Sequence, residues 1–440
     1  MNYRGQQATI MGLGHFGAAV AAARWLARQG AVVTVTDLAD QTTLAAAVAS
    51  LRGEPIAALH LGGHREEDFR RTDLVVVNPA VRPGNPFLQI ARDCGARLSS
   101  EIELFLEACP ARMIGVTGSN GKSTTAAMTA AILQADDRPT WLGGNLGGSL
   151  LDRLPEIGRD DWVVLELSSF QFHHLSAGAT LPQLAVVTGC SPNHLDWHGS
   201  YEHYVAAKQR ILTGQTDGGM AVLNTHDPEV ATWGRLVKGR LLPLPPLCDM
   251  PPLAVPGEHN RINAACAAAA AAGAGCDAAA IRRGLASFRG LPQRLERIAV
   301  IDGRSFYNDS AATTPQSTIA ALQSLDQPVW LLAGGRNKGF DFTPLCAEVA
   351  RHARGAAFFG SCGQQLRGLA AAVAPAFPCT ARETLAEALD WCWQRSRPGE
   401  AILLSPACAS TDQFLNFRQR GERFVELVEK GLGIGDWGLG

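Results

Sequence analysis

A chain of 440 residues exceeds one ordinary hydrophobic core and predicts two or three domains. With 46% hydrophobic and 18% charged residues it reads as compact, and a formal net charge of −2 excludes a general pull toward nucleic acid or an anionic membrane surface. Eleven cysteines fall without a CxxC pair or metal-ligand spacing, the pattern of reduced, mostly buried thiols. No charged-then-apolar leader opens the sequence, and no apolar run reaches the ~18 residues of a membrane span. A soluble, cytoplasmic protein is expected.

Apolar strand-like runs alternate with helical patterns throughout, at residues 8–11, 32–36, 74–77, 113–116, 163–167, 185–187, 329–332, 356–359 and 401–404. Uninterrupted apolar strands between helices imply parallel sheets covered on both faces. The first strand runs into Gly12-Leu13-Gly14-His15-Phe16-Gly17 and a helix to about Gln29. The strand after it ends at Asp37, twenty residues beyond Gly17. That is the dinucleotide-binding fingerprint, in which glycines let the backbone approach a pyrophosphate at a helix N-terminus. Alone it fits NAD with Asp37 on a ribose, as in an oxidoreductase. A UDP-sugar presents the same pyrophosphate.

A second glycine loop decides the balance. Strand 113–116 leads into Thr117-Gly118-Ser119-Asn120-Gly121-Lys122-Ser123-Thr124 and a further helix. Backbone N–H groups of such a loop cradle phosphates, Lys122 reaches the terminal ones, and the Ser123 hydroxyl can coordinate Mg²⁺. The spacing is tighter than in the common P-loop, with Val116 where the first glycine usually stands. ATP is expected here.

Strand 163–167 carries Glu166 inside an apolar run, where an unpaired carboxylate is costly, so a cation partner is expected. Pro192-Asn193-His194-Leu195-Asp196 follows another strand, where α/β sheets place ligands. Glu166 and His194 are candidate Mg²⁺ ligands with water completing the shell; a capping or core role is the alternative for His194. In the helix over 201–212, Tyr201, Tyr204, Val205, Lys208, Ile211 and Leu212 share one stripe. Lys208 then points inward, and desolvation lowers its pKa and leaves a nucleophilic amine able to take up CO₂ as a carbamate. Snorkelling to the surface is the alternative. The pair His173-His174 lacks a further ligand at helical spacing, and nothing near Cys408 in sequence marks it as an activated thiol.

These segments resemble the Mur ligase family along essentially the whole chain. The carriers are TGSNGKST at 117–124, ELSSFQ at 166–171, PNHLD at 192–196, GEHNRIN at 257–263, GLPQRLE at 290–296, Asn308-Asp309-Ser310 and SPACASTDQFLNF at 405–417. The resemblance implies an α/β chain of three domains: an N-terminal Rossmann-like domain for a UDP-sugar (1–97), a central P-loop ATPase-like parallel sheet (98–293), and a C-terminal Rossmann-like domain for an amino acid (294–440). It implies an ATP-dependent ligase of peptidoglycan precursor synthesis, working as a monomer, that joins UDP-N-acetylmuramoyl-L-alanine to glutamate through an acyl phosphate.

Roles follow residue by residue. Lys122 and Ser123 hold ATP and Mg²⁺ at two metal sites, together with Gly118, Ser119, Asn120, Gly121 and Thr124. Glu166 and His194 bind metal, and Lys208 falls on the family's carbamylated lysine, so Lys122, Glu166, His194 and Lys208 form the catalytic set. Asn260, Asn263, Arg294 and Asp309 hold the nucleotide. Gly14, His15, Phe16 and Asp37 meet the UDP-sugar, Asn145, Ser168 and Gln171 the reacting groups, and Thr313, Lys338, Ser410 and Phe417 the glutamate. Three departures from the family's frequent residues stand out: Ala311 replaces a lysine, Gln293 a histidine, and Asn78-Pro79-Ala80 a Ser-Pro-Gly. The first bears on D- against L-glutamate, with L-glutamate addition as the alternative.

Overall fold

The computed structural model describes residues 2–14 and 17–430. The chain is α/β, with three sheets that each centre one domain. One compact unit comprises the described residues to Pro251 with Ile262–Leu285, and the other Pro252–Arg261 with the described residues from Ala286.

Sheet 1 contains β1 (Gln7–Met11), β2 (Val32–Asp37), β3 (Ile56–Leu61), β4 (Leu74–Val77) and β5 (Arg97–Ser99) in the order β3-β2-β1-β4-β5. Sheet 2 contains β6 (Arg112–Thr117), β7 (Thr140–Gly144), β8 (Trp162–Glu166), β9 (Leu184–Val187), β10 (Met220–Leu223) and β11 (Arg240–Leu242), ordered β11-β10-β9-β6-β8-β7. Every pairing in both is parallel. The order reverses beside β1 in sheet 1 and beside β6 in sheet 2, which opens a crevice at the strand exits. The two glycine loops follow β1 and β6.

Sheet 3 contains β12 (Glu296–Ile301), β13 (Arg304–Asn308), β14 (Val329–Gly334), β15 (Ala353–Phe359), β16 (Cys379–Arg382) and β17 (Ala401–Leu404), ordered β12-β13-β17-β14-β15-β16. Here the expectation of purely parallel sheets fails, because β12 and β13 pair antiparallel. Asp302 and Gly303 both have positive φ, 47° and 72°, and the Asp-Gly pair makes the tight hairpin turn whose twist suits two adjacent strands. The outer strand β12 is only half-buried, so its alternation is too weak to read as a core strand.

Both faces of sheet 3 are covered, as its apolar runs require. Leu331, Phe358 and Leu403 point to a cluster with Leu345, Val349 and Leu366, while Trp330, Phe359 and Leu404 point to a second with Leu389, Cys392 and Phe424. One continuous cluster joins Ile10 and Val35 of sheet 1 with Leu165 and Val187 of sheet 2. Seven of the eleven cysteines are buried and all are free thiols, as the sequence predicted. Among the described residues no helix is long and apolar enough to cross a membrane.

Helix Lys122–Ala135, which begins at the phosphate loop, is fixed from behind by helix Ala278–Ser287. A Cβ on Gly284 would lie 2.4 Å from Ile132 Cα, a clash with backbone that no rotamer relieves. Helix propensity favours Gly284→Ala by about 1 kcal/mol. Overpacking outweighs it, and the variant is expected to lose about 1–3 kcal/mol in urea unfolding. A more stable variant would show that the two helices do not meet this closely.

Candidate active site

The loop after β6 passes between the exits of β8 and β9. Gly118 has φ +153°, and a Cβ there would meet Thr188 Oγ1 at 2.1 Å. Gly121 has φ +81°, and a Cβ would meet Asn263 Oδ1 at 2.3 Å. The backbone can thread here only as glycine. Thr188, just beyond β9, donates to Asn120 O at 2.5 Å. Ser119 Oγ donates to Ser191 O at 2.8 Å, accepts from Ser191 N at 2.9 Å and lies 2.8 Å from the Tyr204 hydroxyl. The loop is thereby fixed before any ligand arrives, with the first N–H groups of helix Lys122–Ala135 turned into it. Lys122 folds back so that Nζ donates to Ser119 O at 2.9 Å. Thr124 lies half-buried in the first turn.

Glu166 ends β8 on the face that looks toward this helix and is 1% exposed. Ser123 Oγ donates to Oε2 at 2.5 Å and Asn145 Nδ2 to Oε1 at 3.0 Å. The carboxylate also attracts the charge of Lys208. The backbone of Asn145 is fastened too, its N–H donating to Glu166 O at 2.9 Å. Ser168 and Gln171 form a reciprocal capping box at helix Ser169–His174, which orients the segment leaving β8.

Lys208 is buried as its stripe predicted, at 1% exposure, and does not snorkel. Nζ donates to Gly118 O at 2.7 Å and lies 4.7 Å from the Tyr204 ring centroid. Burial, reinforced by the Lys122 charge, holds its pKa well below the usual lysine range. His194 does not cap with its side chain; it takes positive φ (54°), is half-buried, and packs its ring 4.7 Å from that of Phe170. Among the described residues no three His, Cys, Asp or Glu side chains cluster as a ready-made metal site. His173 is exposed, and His174 Nε2 lies 3.0 Å from Val81 O.

In sheet 1, His15 and Phe16 lie outside the described residues. Asp37 turns inward, accepting from Gly14 N at 3.1 Å and Ala39 N at 2.8 Å, so it shapes the glycine turn. Asn78, beyond the neighbouring β4, donates to Gly12 O at 3.0 Å. Asn260 Nδ2 donates to Pro256 O at 2.7 Å, and Asn263 accepts from Thr125 Oγ1 at 3.3 Å.

In sheet 3, Asp309 is buried at the exit of β13, with Ser405 Oγ at 2.7 Å and Leu295 N at 3.1 Å as donors. Desolvation pushes its carboxyl up to about 7 against these hydrogen bonds and the nearby Arg294 and Arg420 charges. Asn337 Oδ1 accepts from Gly339 N and Phe340 N and so shapes the turn carrying half-buried Lys338. Thr313 and Phe417 are half-buried and Ser410 buried.

Sequence reading missed the groups that hold this site. Thr188, Ser191 and Tyr204 brace the phosphate loop through space. Arg420, fully buried, donates to Ser310 Oγ and O at 3.0 and 2.8 Å and to Cys408 O at 3.1 Å, joining the exits of β13 and β17. Only tertiary contact reveals either set.

A glycine loop at a helix N-terminus, with a lysine, a hydroxyl and a buried carboxylate at its mouth, defines a nucleoside-triphosphate-using enzyme. The chain matches the models of the Mur ligase MurD-like N-terminal domain over 6–100, the Mur ligase middle domain over 116–242 and the Mur ligase glutamate ligase domain over 293–408. It is 36% identical to the UDP-N-acetylmuramoylalanine–D-glutamate ligase of Roseiflexus sp. (strain RS-1), covering 98% of this chain and 99% of that one. It is 34% identical to the enzyme of the same name from Symbiobacterium thermophilum, over 96% and 98%. The solved UDP-N-acetylmuramate–alanine ligase of Thermotoga maritima shares the fold at TM-score 0.63 and 21% identity, covering 97% of this chain and 99% of that one. The chain belongs to the Mur ligase family, whose members are ATP-dependent ligases.

Lys208 offers a test of the buried amine. Because its folded pKa is depressed, the unfolded chain binds more protons at neutral pH, and stability rises with pH from the folded pKa to the unfolded one. Lys208→Met is therefore expected to melt higher than the parent at pH 7, with an advantage that shrinks by pH 9 in scanning calorimetry. An advantage independent of pH would show that Lys208 is not desolvated.

Proposed function

We propose that this enzyme joins D-glutamate to UDP-N-acetylmuramoyl-L-alanine in cytoplasmic peptidoglycan precursor synthesis, cleaving ATP to ADP and phosphate and acting as a monomer. The observation that carries the reading is the meeting of the Gly118–Ser123 loop, Glu166 and Lys208 at the exits of β6 and β8, in a chain that matches D-glutamate ligases almost end to end. The proposed domains are 1–97 for the UDP-sugar, 98–293 for ATP and 294–440 for the amino acid.

The carboxylate of the muramoyl peptide is a poor electrophile. Its oxygen attacks the γ-phosphorus, the bond to the ADP oxygen breaks, and an acyl phosphate results. The glutamate amine then attacks the acyl carbon, loses a proton and expels inorganic phosphate. Catalysis of the first step is positioning and charge stabilisation. Lys122 and the N–H groups of the loop balance charge on the phosphoryl oxygens, and Asn145, Ser168 and Gln171 border the reacting groups. Asn260, Asn263, Arg294 and Asp309 are assigned to the nucleotide, Gly14, His15, Phe16 and Asp37 to the UDP-sugar, and Thr313, Lys338, Ser410 and Phe417 to glutamate.

The donor set suits Mg²⁺. Ser123 Oγ and Glu166 Oε2 meet at 2.5 Å, and both are hard oxygen donors that would hold the ion. His194 is the proposed further ligand. Mg²⁺ supplies positive charge on the phosphoryl oxygens. The desolvated, neutral Lys208 amine forms an N–C bond to CO₂ and releases one proton, turning a buried neutral group into an anionic one beside the loop. The second reading, L-glutamate addition, rests on Ala311, which removes a cation at the exit of β13.

Phosphate release with ATP, Mg²⁺, bicarbonate and UDP-N-acetylmuramoyl-L-alanine is expected with D-glutamate; release with L-glutamate alone would move the assignment to the second reading. Lys122→Ala is expected to lower turnover by about a hundredfold to a thousandfold while calorimetry shows the UDP-sugar still bound. Lys208→Ala is expected to be nearly inactive and partly rescued by small carboxylic acids. Full activity without rescue would remove the carbamate.

A further inference from the structure

Outside the phosphate loop, two thiols meet at the strand exits of sheet 3. Cys362 and Cys408 hold their sulfur atoms 3.2 Å apart. Cys362 follows β15 and stands at the N-cap of helix Gly363–Val373, and Cys408 follows β17. Between these strands lies β14, which leaves the sheet through Gly334-Gly335. Gly335 O accepts from Cys362 N at 3.1 Å, and Arg336 exchanges two backbone hydrogen bonds with Ala409, at 2.8 and 3.0 Å. The two thiols therefore meet across the exit of β14.

We propose that Cys362 and Cys408 form an oxidation site, at which peroxide converts the two thiols into a disulfide that fastens the exits of β15 and β17 together over the Gly334-Gly335 turn. The two sulfurs are inequivalent. The two thiols share one hydrogen bond, which lowers the Cys362 pKa and raises that of Cys408. The helix N-terminus adds to the stabilisation of a Cys362 thiolate. Asp412, whose carboxylate accepts from Ser361 N at 2.9 Å, opposes ionisation, and Arg420 favours it from its place on Cys408 O. Both cysteines are buried, at 5% and 1% exposure, and Ser361 beside Cys362 is exposed.

The chemistry balances. The Cys362 thiolate attacks one peroxide oxygen, the O–O bond breaks, and the departing hydroxide leaves as water after taking a proton. Cys362 is then a sulfenic acid. The Cys408 sulfur attacks the Cys362 sulfur, the S–O bond breaks, and a second water carries off the thiol proton. Two thiols are oxidised and one peroxide is reduced to two waters.

Closing the sulfurs to bonding distance moves the segments that lead to Lys338 and Ser410. The expected loss is in glutamate affinity, a consequence that rests on the amino-acid assignment proposed above.

The test treats reduced full-length protein with hydrogen peroxide, then maps thiols by alkylation and mass spectrometry under denaturing conditions, beside the steady-state KM for glutamate. The expected result is a cross-linked peptide pair joining Cys362 to Cys408, a mass lower by two hydrogen atoms, and a KM raised severalfold and restored by dithiothreitol. Cys362→Ser is expected to lose both the cross-link and the KM change. Cys362 oxidised to sulfinic acid with Cys408 still alkylatable would overturn the proposal, as would a cross-link that leaves KM unchanged. An enzyme inactive with glutamate before oxidation would count against the proposed function, and the cross-link map would still decide the thiol chemistry.

Discussion

The phosphate loop depends on two absent side-chain atoms. At Gly118 and Gly121 a single Cβ would overlap Thr188 and Asn263, so the chain leaves β6 along a path open to glycine alone. From that path follows the start of helix Lys122–Ala135 at the loop and the direction of its first N–H groups. Ser123 then reaches Glu166, and the Gly118 carbonyl becomes available to Lys208. Each contact relieves a buried polar group that would otherwise be costly. The two glycines thus decide where the charged side chains of the middle domain can be tolerated.

The same economy recurs at the other two sheets. In sheet 1, Gly12 and Gly14 let Asn78 and Asp37 approach the backbone of the first turn. In sheet 3, Gly334 and Gly335 let β14 leave between β15 and β17, while Arg420 collects the carbonyls of its neighbours. A parallel sheet ends with its strand exits in a row, and connections that reverse direction there open a cleft. What differs among the three clefts is the chemistry placed in them: backbone turns in the first, lysines and a carboxylate in the second, and a buried aspartate, buried arginine and thiol pair in the third.

Sequence gave access to this scheme unevenly. Apolar runs such as Leu74–Val77 and Ala401–Leu404 were legible because both faces are buried and the signal is continuous. Ile56–Leu61 and Glu296–Ile301 alternate half-buried with exposed residues and were missed. The burial of Lys208 followed from helical spacing, since Ile211 and Leu212 fixed the stripe. The hydroxyl and amide that hydrogen-bond Glu166 did not, because they come from distant segments. Asp37 was legible as a landmark but not in its contacts: its oxygens serve the turn itself. Thr188, Tyr204 and Arg420 carried no local pattern, and the pairing of Cys362 with Cys408 spans 46 positions.

The order of sheet 3 has a consequence for synthesis on the ribosome. Its central strand, β17, is the last of the six in sequence, and it separates β13 from β14. Until Ala401–Leu404 has left the exit tunnel, the nascent chain holds two apolar strands with an unpaired edge facing a gap between them. The last domain therefore cannot complete its sheet progressively behind the elongating chain, as the first can. It closes late, in one insertion, and for that interval the facing edges of β13 and β14 are the part of the newborn protein most in need of a chaperone.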